Sequence, residues 1–154
     1  VTAASSSSIS DGAAALILMP ASEAEKRGLE PLATLVGHSS FAQEPAWFTT
    51  SPVSAIKHLH DMLGWSPDDV DLYEVNEAFA VVTMAAMHDV GLDHAAVNVN
   101  GGACALGHPI GASGARITTT LLHALRARGL KRGVASLCIG GGEAVAVGIE
   151  LISN

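Results

Sequence analysis

The sequence predicts a layered α/β fold on two observations. Short apolar runs of strand length alternate with segments of helical period, and the chain closes with two strand-like runs separated by Gly140-Gly141-Gly142. A third observation concerns the outside of that fold. Only 15% of the 154 residues are charged while 49% are hydrophobic, against roughly 25% charged in an ordinary soluble domain. So little charge implies that part of the surface is covered, by another subunit or by another part of the same protein. The length fits one domain or a piece of something larger.

Taken in order, Ser5 to Ser8 is a serine run of the kind found in flexible linkers. Ala13 to Met19 is apolar and short enough for a buried strand. Ser22 and Glu25 have capping-box spacing and Gly28 supplies a stop, which predicts a short helix between them. Leu32 to Val36 is a second strand. From Gly37 to Thr50 no period holds, and Phe41, Trp47 and Phe48 suggest a loop with a packing or ligand-facing role. Ser51-Pro52 opens the next helix, with proline in the first turn, and Gly64 closes it; Val53, Ile56, Leu59 and Leu63 form its apolar face. A turn from Trp65 to Asp69 leads to a strand over Val70 to Val75. Asn76 then stands in a good N-cap position for a helix from Glu77 to Val90, apolar almost all round and so expected to be central and buried. Ala96 to Asn100 is read as a strand feeding a glycine-rich loop, Asn100 to Gly114. The helix from Ser113 to Arg128 puts Ile117, Leu121 and Leu125 on one side, with Arg126 and Arg128 near its negative end. Val134 to Ile139 and Ala144 to Ile152 form the closing antiparallel hairpin.

Several function classes are excluded or disfavoured. A net charge of -7 with no basic stripe argues against nucleic acid as a partner, and no apolar run reaches the length of a membrane span. Nothing at Val1 resembles a signal peptide, nor do Leu151 to Asn154 resemble an organelle address, so a processed or truncated chain in the cytoplasm is the expectation. Cys104 and Cys138 could in principle pair but form no dense framework, and a reducing compartment is the simpler assumption. His58 and His60 lie two apart on a helix and make a poor metal pair. No zinc-ligand spacing exists, and Gly107 to Gly114 fits neither the dinucleotide fingerprint nor the P-loop. His38, His88, His94 and His123 read as surface or helix-end residues.

Three polar residues stand at element ends beside glycines or a cap: Asn76, His108 and Cys138. Each has a plain reading, as a helix cap, a hydrogen-bonded loop histidine and a small buried strand residue respectively. Together they have a chemical one. A thiol near an imidazole is the arrangement for a thiolate that attacks a carbonyl or removes a proton from carbon. Backbone N–H groups over Gly140 to Gly142 are free to turn inward toward a developing oxyanion.

Asn76-Glu77-Ala78-Phe79-Ala80, then Gly101-Gly102 through Gly107-His108-Pro109-Ile110-Gly111-Ala112-Ser113-Gly114, then Cys138-Ile139-Gly140-Gly141-Gly142, resemble in order and spacing the three C-terminal motifs of the thiolases. The resemblance runs over essentially the whole chain. It implies a thiolase-like layered α-β-α architecture, with residues 1–30 the last strand and helix of an N-terminal domain and residues 31–154 the C-terminal domain. It also implies reversible Claisen condensation and thiolysis of acyl-CoA, acetyl-CoA to acetoacetyl-CoA. In that reading His108 activates the acyl-accepting cysteine and, with Asn76 holding a water, forms one oxyanion hole. Cys138 is the second cysteine, acting as acid and base, and the N–H of Gly140 helps form the other hole. Ser7 lies near the pantetheine arm of coenzyme A, and Phe79 lines that pocket.

The family's nucleophilic cysteine belongs to an N-terminal half that this chain does not contain, and Cys104 does not replace it, so the chain alone is expected to be inactive. Coenzyme A thioesters enter as substrates with no separate cofactor and no metal. The expected partners are acyl-CoA, the N-terminal half and further copies in a dimer or tetramer. A related reading is a condensing enzyme of the ketoacyl synthase type, which typically has a histidine where Cys138 stands. From a different class comes a non-catalytic CoA-binding or assembly domain.

Overall fold

A computed structural model describes residues 1–152 of the chain. Its sheet has four strands, β1 (Ala33–Ala42), β2 (Leu72–Val75), β3 (Arg132–Cys138) and β4 (Glu143–Leu151), in the spatial order β1-β4-β3-β2. The predicted hairpin is present: β3 and β4 are antiparallel from Arg132 opposite Glu150 to Cys138 opposite Ala144. Its turn depends on Gly142, where φ is +105° and a Cβ would run into the carbonyl oxygen of Gln43. β4 continues antiparallel onto β1, with an irregularity between Leu35 and Gly37. β2 lies parallel to β3, Leu72 beside Gly133 and Val75 beside Ser136.

Because side chains alternate across a strand, the sheet has two apolar faces and each recruits its own helices. Tyr73, Val75, Val134, Cys138, Ala144 and Ala146 face α2 (Ser51–Leu63) and α3 (Ala80–Val90), meeting Ile56, Leu59, Val82 and Ala86. Leu72, Ala135 and Ile149 face the other way, onto Ile117, Leu121 and Leu125 of α5 (Ser113–Arg128). The layers are therefore helix, sheet, helix, as expected. Ile56, Leu59, Ile117, Leu121 and Leu125 are all 0% exposed, and each such side chain contributes about 1.5–3 kcal/mol relative to remaining in water. Two short helices complete the chain, α1 (Ala21–Lys26) and α4 (Ala103–Leu106). No helix among the described residues is long and apolar enough to cross a membrane.

The structure corrects several expectations. Ala13 to Met19 is extended but belongs to no strand, and Ile17 and Leu18 stay 87% and 75% exposed. An apolar run becomes a strand only where a sheet edge accepts it, and this one pairs with neither β1 nor β2. The short helix forms, but Pro20 rather than Ser22 stands at its cap position. The expected loop from Gly37 to Thr50 is in part strand, since the ladder with β4 carries β1 on to Ala42, and a 3-10 turn follows over Pro45–Thr50.

Asn76 does not cap a helix. Its N–H donates to Ser136 O at 2.9 Å, extending the ladder beyond β2, and α3 begins only at Ala80. Nor is α3 buried all round, because Val81 and Met84 face outward. Ala96 to Asn100 is not a strand. One bridge joins Val97 to Tyr73, and then Asn98 takes φ +49° and substitutes its amide for a strand residue, accepting from Val75 N–H and donating to Val75 O. The serine run is not slack either, as its contacts below show.

Candidate active site

The site lies at the carboxyl ends of the parallel strands β2 and β3, where open α/β sheets form their crevices. Three segments converge there: Asn76 to Phe79 after β2, Cys138 to Gly140 after β3, and the glycine loop before α5. The N-terminal arm laces two of them together. Ser7 N–H and Ser7 Oγ both donate to Ala78 O, at 3.0 and 2.9 Å, while His108 N–H donates to Ser8 O at 3.0 Å. The run that reads as a linker is thus clamped between the two loops.

Around these contacts opens a cavity of about 480 Å³ whose wall includes Ser7, Phe79, His108, Cys138 and Gly140. Five of the six residues singled out by sequence therefore surround one space. The sixth, Asn76, is 1% exposed and reaches the histidine directly, its Nδ2 lying 3.3 Å from His108 Nε2. Its Oδ1 is buried with no partner among the described residues, which fits a water or a substrate oxygen-bound hydrogen there.

His108 is held on both sides. Nδ1 lies 2.6 Å from Ser113 Oγ, opposite the Asn76 contact. Burial and then the Arg116 guanidinium hold its pKa below the ordinary histidine value, favouring the neutral ring that accepts a proton. Cys138 ends β3 and is 8% exposed, and burial pushes its thiol up, so its thiolate is a strong base once formed. The β3–β4 turn closes through Ile139 N–H to Glu143 O and Gly142 N–H to Ile139 O, without using the N–H of Gly140.

Cys104 is placed differently. Its Sγ donates to Glu77 O at 3.6 Å, and its N–H donates to the Glu77 carboxylate, which thereby caps α4. Burial and the negative Glu77 raise its pKa, which makes it a poor nucleophile. Both cysteines are unpaired. No group of three or more potential metal-ligating side chains occurs among the described residues.

Five further residues contribute that the sequence does not single out as site residues. Phe48 lines the cavity and meets Phe79 edge-on, with centroids 5.9 Å apart, which gives the unpatterned 45–50 segment its ligand-facing role. Ser8 holds His108 through its carbonyl, a backbone contact invisible in a sequence. Ser113 lay within the quoted motif but carried no sign of its target. On the α5 face, Glu74 and Arg116 sit behind the histidine: Glu74 is 2% exposed, burial pushes its carboxyl up to about 7 against the pull of Arg116, and Glu74 Oε1, Arg116 Nε and Arg116 Nη1 have no partner among the described residues.

Comparison with known proteins gives the family and the fold. The family profile described as thiolase, C-terminal domain, matches residues 29–151. The mouse protein named acetyl-CoA acetyltransferase, cytosolic, is 52% identical over 150 residues, covering 97% of this chain and 38% of that protein. An acetyl-CoA acetyltransferase of Allochromatium vinosum is 49% identical with the same coverage. Among solved structures, the Bacillus anthracis acetyl-CoA acetyltransferase superposes with a TM-score of 0.96 at 47% identity, covering 99% of this chain and 39% of that one. Human mitochondrial 3-ketoacyl-CoA thiolase in complex with CoA superposes at 0.91 with 42% identity, again over 39% of its own length. The chain thus spans less than two fifths of the relatives it matches.

Proposed function

The chain belongs to the thiolase family, and from that premise we propose that it is the C-terminal part of an acetyl-CoA acetyltransferase, interconverting two acetyl-CoA with acetoacetyl-CoA and coenzyme A. The observation that carries the reading is one imidazole, held by Asn76, sharing a cavity with a buried cysteine and a free turn N–H. Residues 1–30 belong in this proposal to the end of the N-terminal domain and residues 31–154 to the C-terminal domain.

The nucleophilic cysteine is assigned to the part of the relatives that this chain does not span, and Cys104, tied to Glu77, supports leaving it out of the role. In the condensing direction the nucleophile's thiol gives its proton to His108 Nε2 as the sulfur bonds to the first acetyl carbonyl carbon. The C–S bond to CoA breaks, and the CoA sulfur leaves with the proton from His108. Cys138, as thiolate, then takes a proton from the α-carbon of a second acetyl-CoA. The carbanion bonds to the enzyme-held acetyl carbon, the C–S bond to the enzyme breaks, and Cys138 returns the proton to the nucleophile's sulfur. Asn76 with a bound water, together with His108, stabilises one oxyanion, and Gly140 N–H contributes to the other.

Coenzyme A thioesters are the substrates, and no separate cofactor enters this scheme. Ser7 and the Phe48–Phe79 pair would hold the pantetheine arm, since they line the same cavity as His108 and Cys138. A cytoplasmic setting and assembly with further copies complete the proposal, the first supported by the name of the mouse relative and the second by the low charge content of the chain. The test is acetoacetyl-CoA thiolysis by the chain with and without a polypeptide covering the remaining part of its relatives. Turnover that requires both, is lost in His108→Ala, and in Cys138→Ala gives way to acyl transfer without condensation, supports it. CoA binding without turnover under any combination points instead to an inactive assembly domain.

A further inference from the structure

His108 has two side-chain neighbours, one at each ring nitrogen, and only one assigns the proton. Ser113 opens α5 and is 0% exposed, so its hydroxyl has no access to solvent. That hydroxyl lies 3.0 Å from Pro109 O and 2.6 Å from His108 Nδ1. A carbonyl carries no hydrogen, so in the Pro109 contact Ser113 is the donor. The hydroxyl has one hydrogen, and with that hydrogen given to Pro109 O the same oxygen accepts toward His108. In that arrangement Nδ1 carries the ring's proton.

We infer that Ser113 is a positioning residue that fixes His108 in the Nδ1–H tautomer, leaving a bare Nε2 lone pair turned to Asn76 and the cavity. The Asn76 contact is compatible with this: with Nδ2 turned to the ring it donates, and a bare Nε2 accepts. The opposite tautomer would turn the Ser113 hydrogen away from Pro109 and require the Asn76 amide to be reversed. Pro109 fixes the geometry as well as the hydrogen bond. Its carbonyl also accepts from Ala112 N–H at 2.8 Å, closing the turn that brings residues 108 and 113 together. Burial and Arg116 favour the uncharged ring, for which the choice of tautomer matters.

For the proposed thiolase chemistry, on which this role in catalysis rests, Nε2 is then a base for the nucleophile's thiol without prior rearrangement. In the other tautomer it would be a donor and could not take that proton. Ser113 never touches substrate; it acts through His108.

The test is the nitrogen-15 NMR signature of the His108 ring in the protein at a pH where it is neutral, assigned with a His108→Gln control. The wild type is expected to show a protonated Nδ1 and a bare Nε2, and Ser113→Ala a mixture of the two tautomers. In the reconstituted enzyme, Ser113→Ala is expected to lower kcat by roughly 10- to 100-fold, part of what a general base contributes, with KM nearly unchanged. A protonated Nε2 in the wild type overturns the inference without any variant, and so does an unchanged tautomer in folded Ser113→Ala. Failure of the thiolase reading has a different signature, with the expected tautomer present but no turnover of CoA thioesters.

Discussion

Two apolar runs of similar composition, Ala13 to Met19 and Val134 to Cys138, end in opposite surroundings. The second is β3, flanked by β2 and β4, with Val134 and Ala135 at 0% and 2% exposure. The first lies along the surface unpaired, with Ile17 and Leu18 bare. The difference is one of partners rather than of residues. β3 finds two neighbours within the chain, whereas the arm is held by Ser7, Ser8, the bridge from Ile9 to His108 and the partly buried Leu16, and leaves Ile17 and Leu18 uncovered. The same holds in small for α3, whose Val82 and Ala86 are buried while Val81 and Met84 are not.

Substitutions should separate the two regions sharply. The largest effect is expected in the body: Leu121→Ala, under the sheet, should destabilise by roughly 3–4 kcal/mol in urea unfolding followed by circular dichroism. Gly142→Ala comes next, at roughly 1–3 kcal/mol, because the added Cβ meets Gln43 O at a positive φ. A smaller loss there would show that the hairpin turn yields more easily than the ladder around it.

Two buried titratable groups tilt stability in opposite directions with pH. Burial holds the His60 pKa below 6.5, with Asp61 and Asp69 partly offsetting it, and Tyr73 Oη stands 3.1 Å away. On acidification the unfolded chain binds a proton first, so this contribution is intact above pH 6.5 and is lost as pH falls from there through the folded value. Glu74 does the reverse. With its pKa pushed from 4.5 up to about 7, the folded chain binds more protons in that window, and stability falls as pH rises through it. His60→Gln should therefore relieve the acid loss and Glu74→Gln the loss toward neutrality, each with slopes below about 1.4 kcal/mol per pH unit, read from urea midpoints between pH 5 and 8. Parallel curves for wild type and variants would remove both assignments.

The smallest effect belongs to the arm. Ile17→Ser should change the stability of this chain by less than about 0.5 kcal/mol, yet weaken its association with the polypeptide that restores turnover. Equal weakening of folding and association would mean that the arm packs on this chain after all.

Elements whose partners lie inside the chain could be read from the sequence. The hairpin, α2 with its Pro52 start and Gly64 stop, and α5 with its apolar side all follow from local pattern. Ala13 to Met19 and Ala96 to Asn100 differ from the expectation because a short apolar run is compatible with a strand but does not specify its neighbour, and Asn98 supplies by side chain what a strand supplies by backbone. At the site, His108, Cys138, Asn76, Gly140, Ser7 and Phe79 stood out through their motifs, although Asn76 suggested a cap where the structure gives it to the histidine. Ser113, Ser8 and the Glu74–Arg116 pair became visible only with the turn and the α5 face in place, since their partners are carbonyls or residues distant in sequence.

In the proposed reaction this chain supplies the base and the second cysteine while the acyl group is carried elsewhere. The most direct measurement is intact-mass analysis of each polypeptide after brief exposure of the reconstituted enzyme to acetoacetyl-CoA. An acetyl adduct is expected on the complementing polypeptide and none on Cys104 or Cys138. An adduct on either cysteine of this chain, with the complement unmodified, would contradict it.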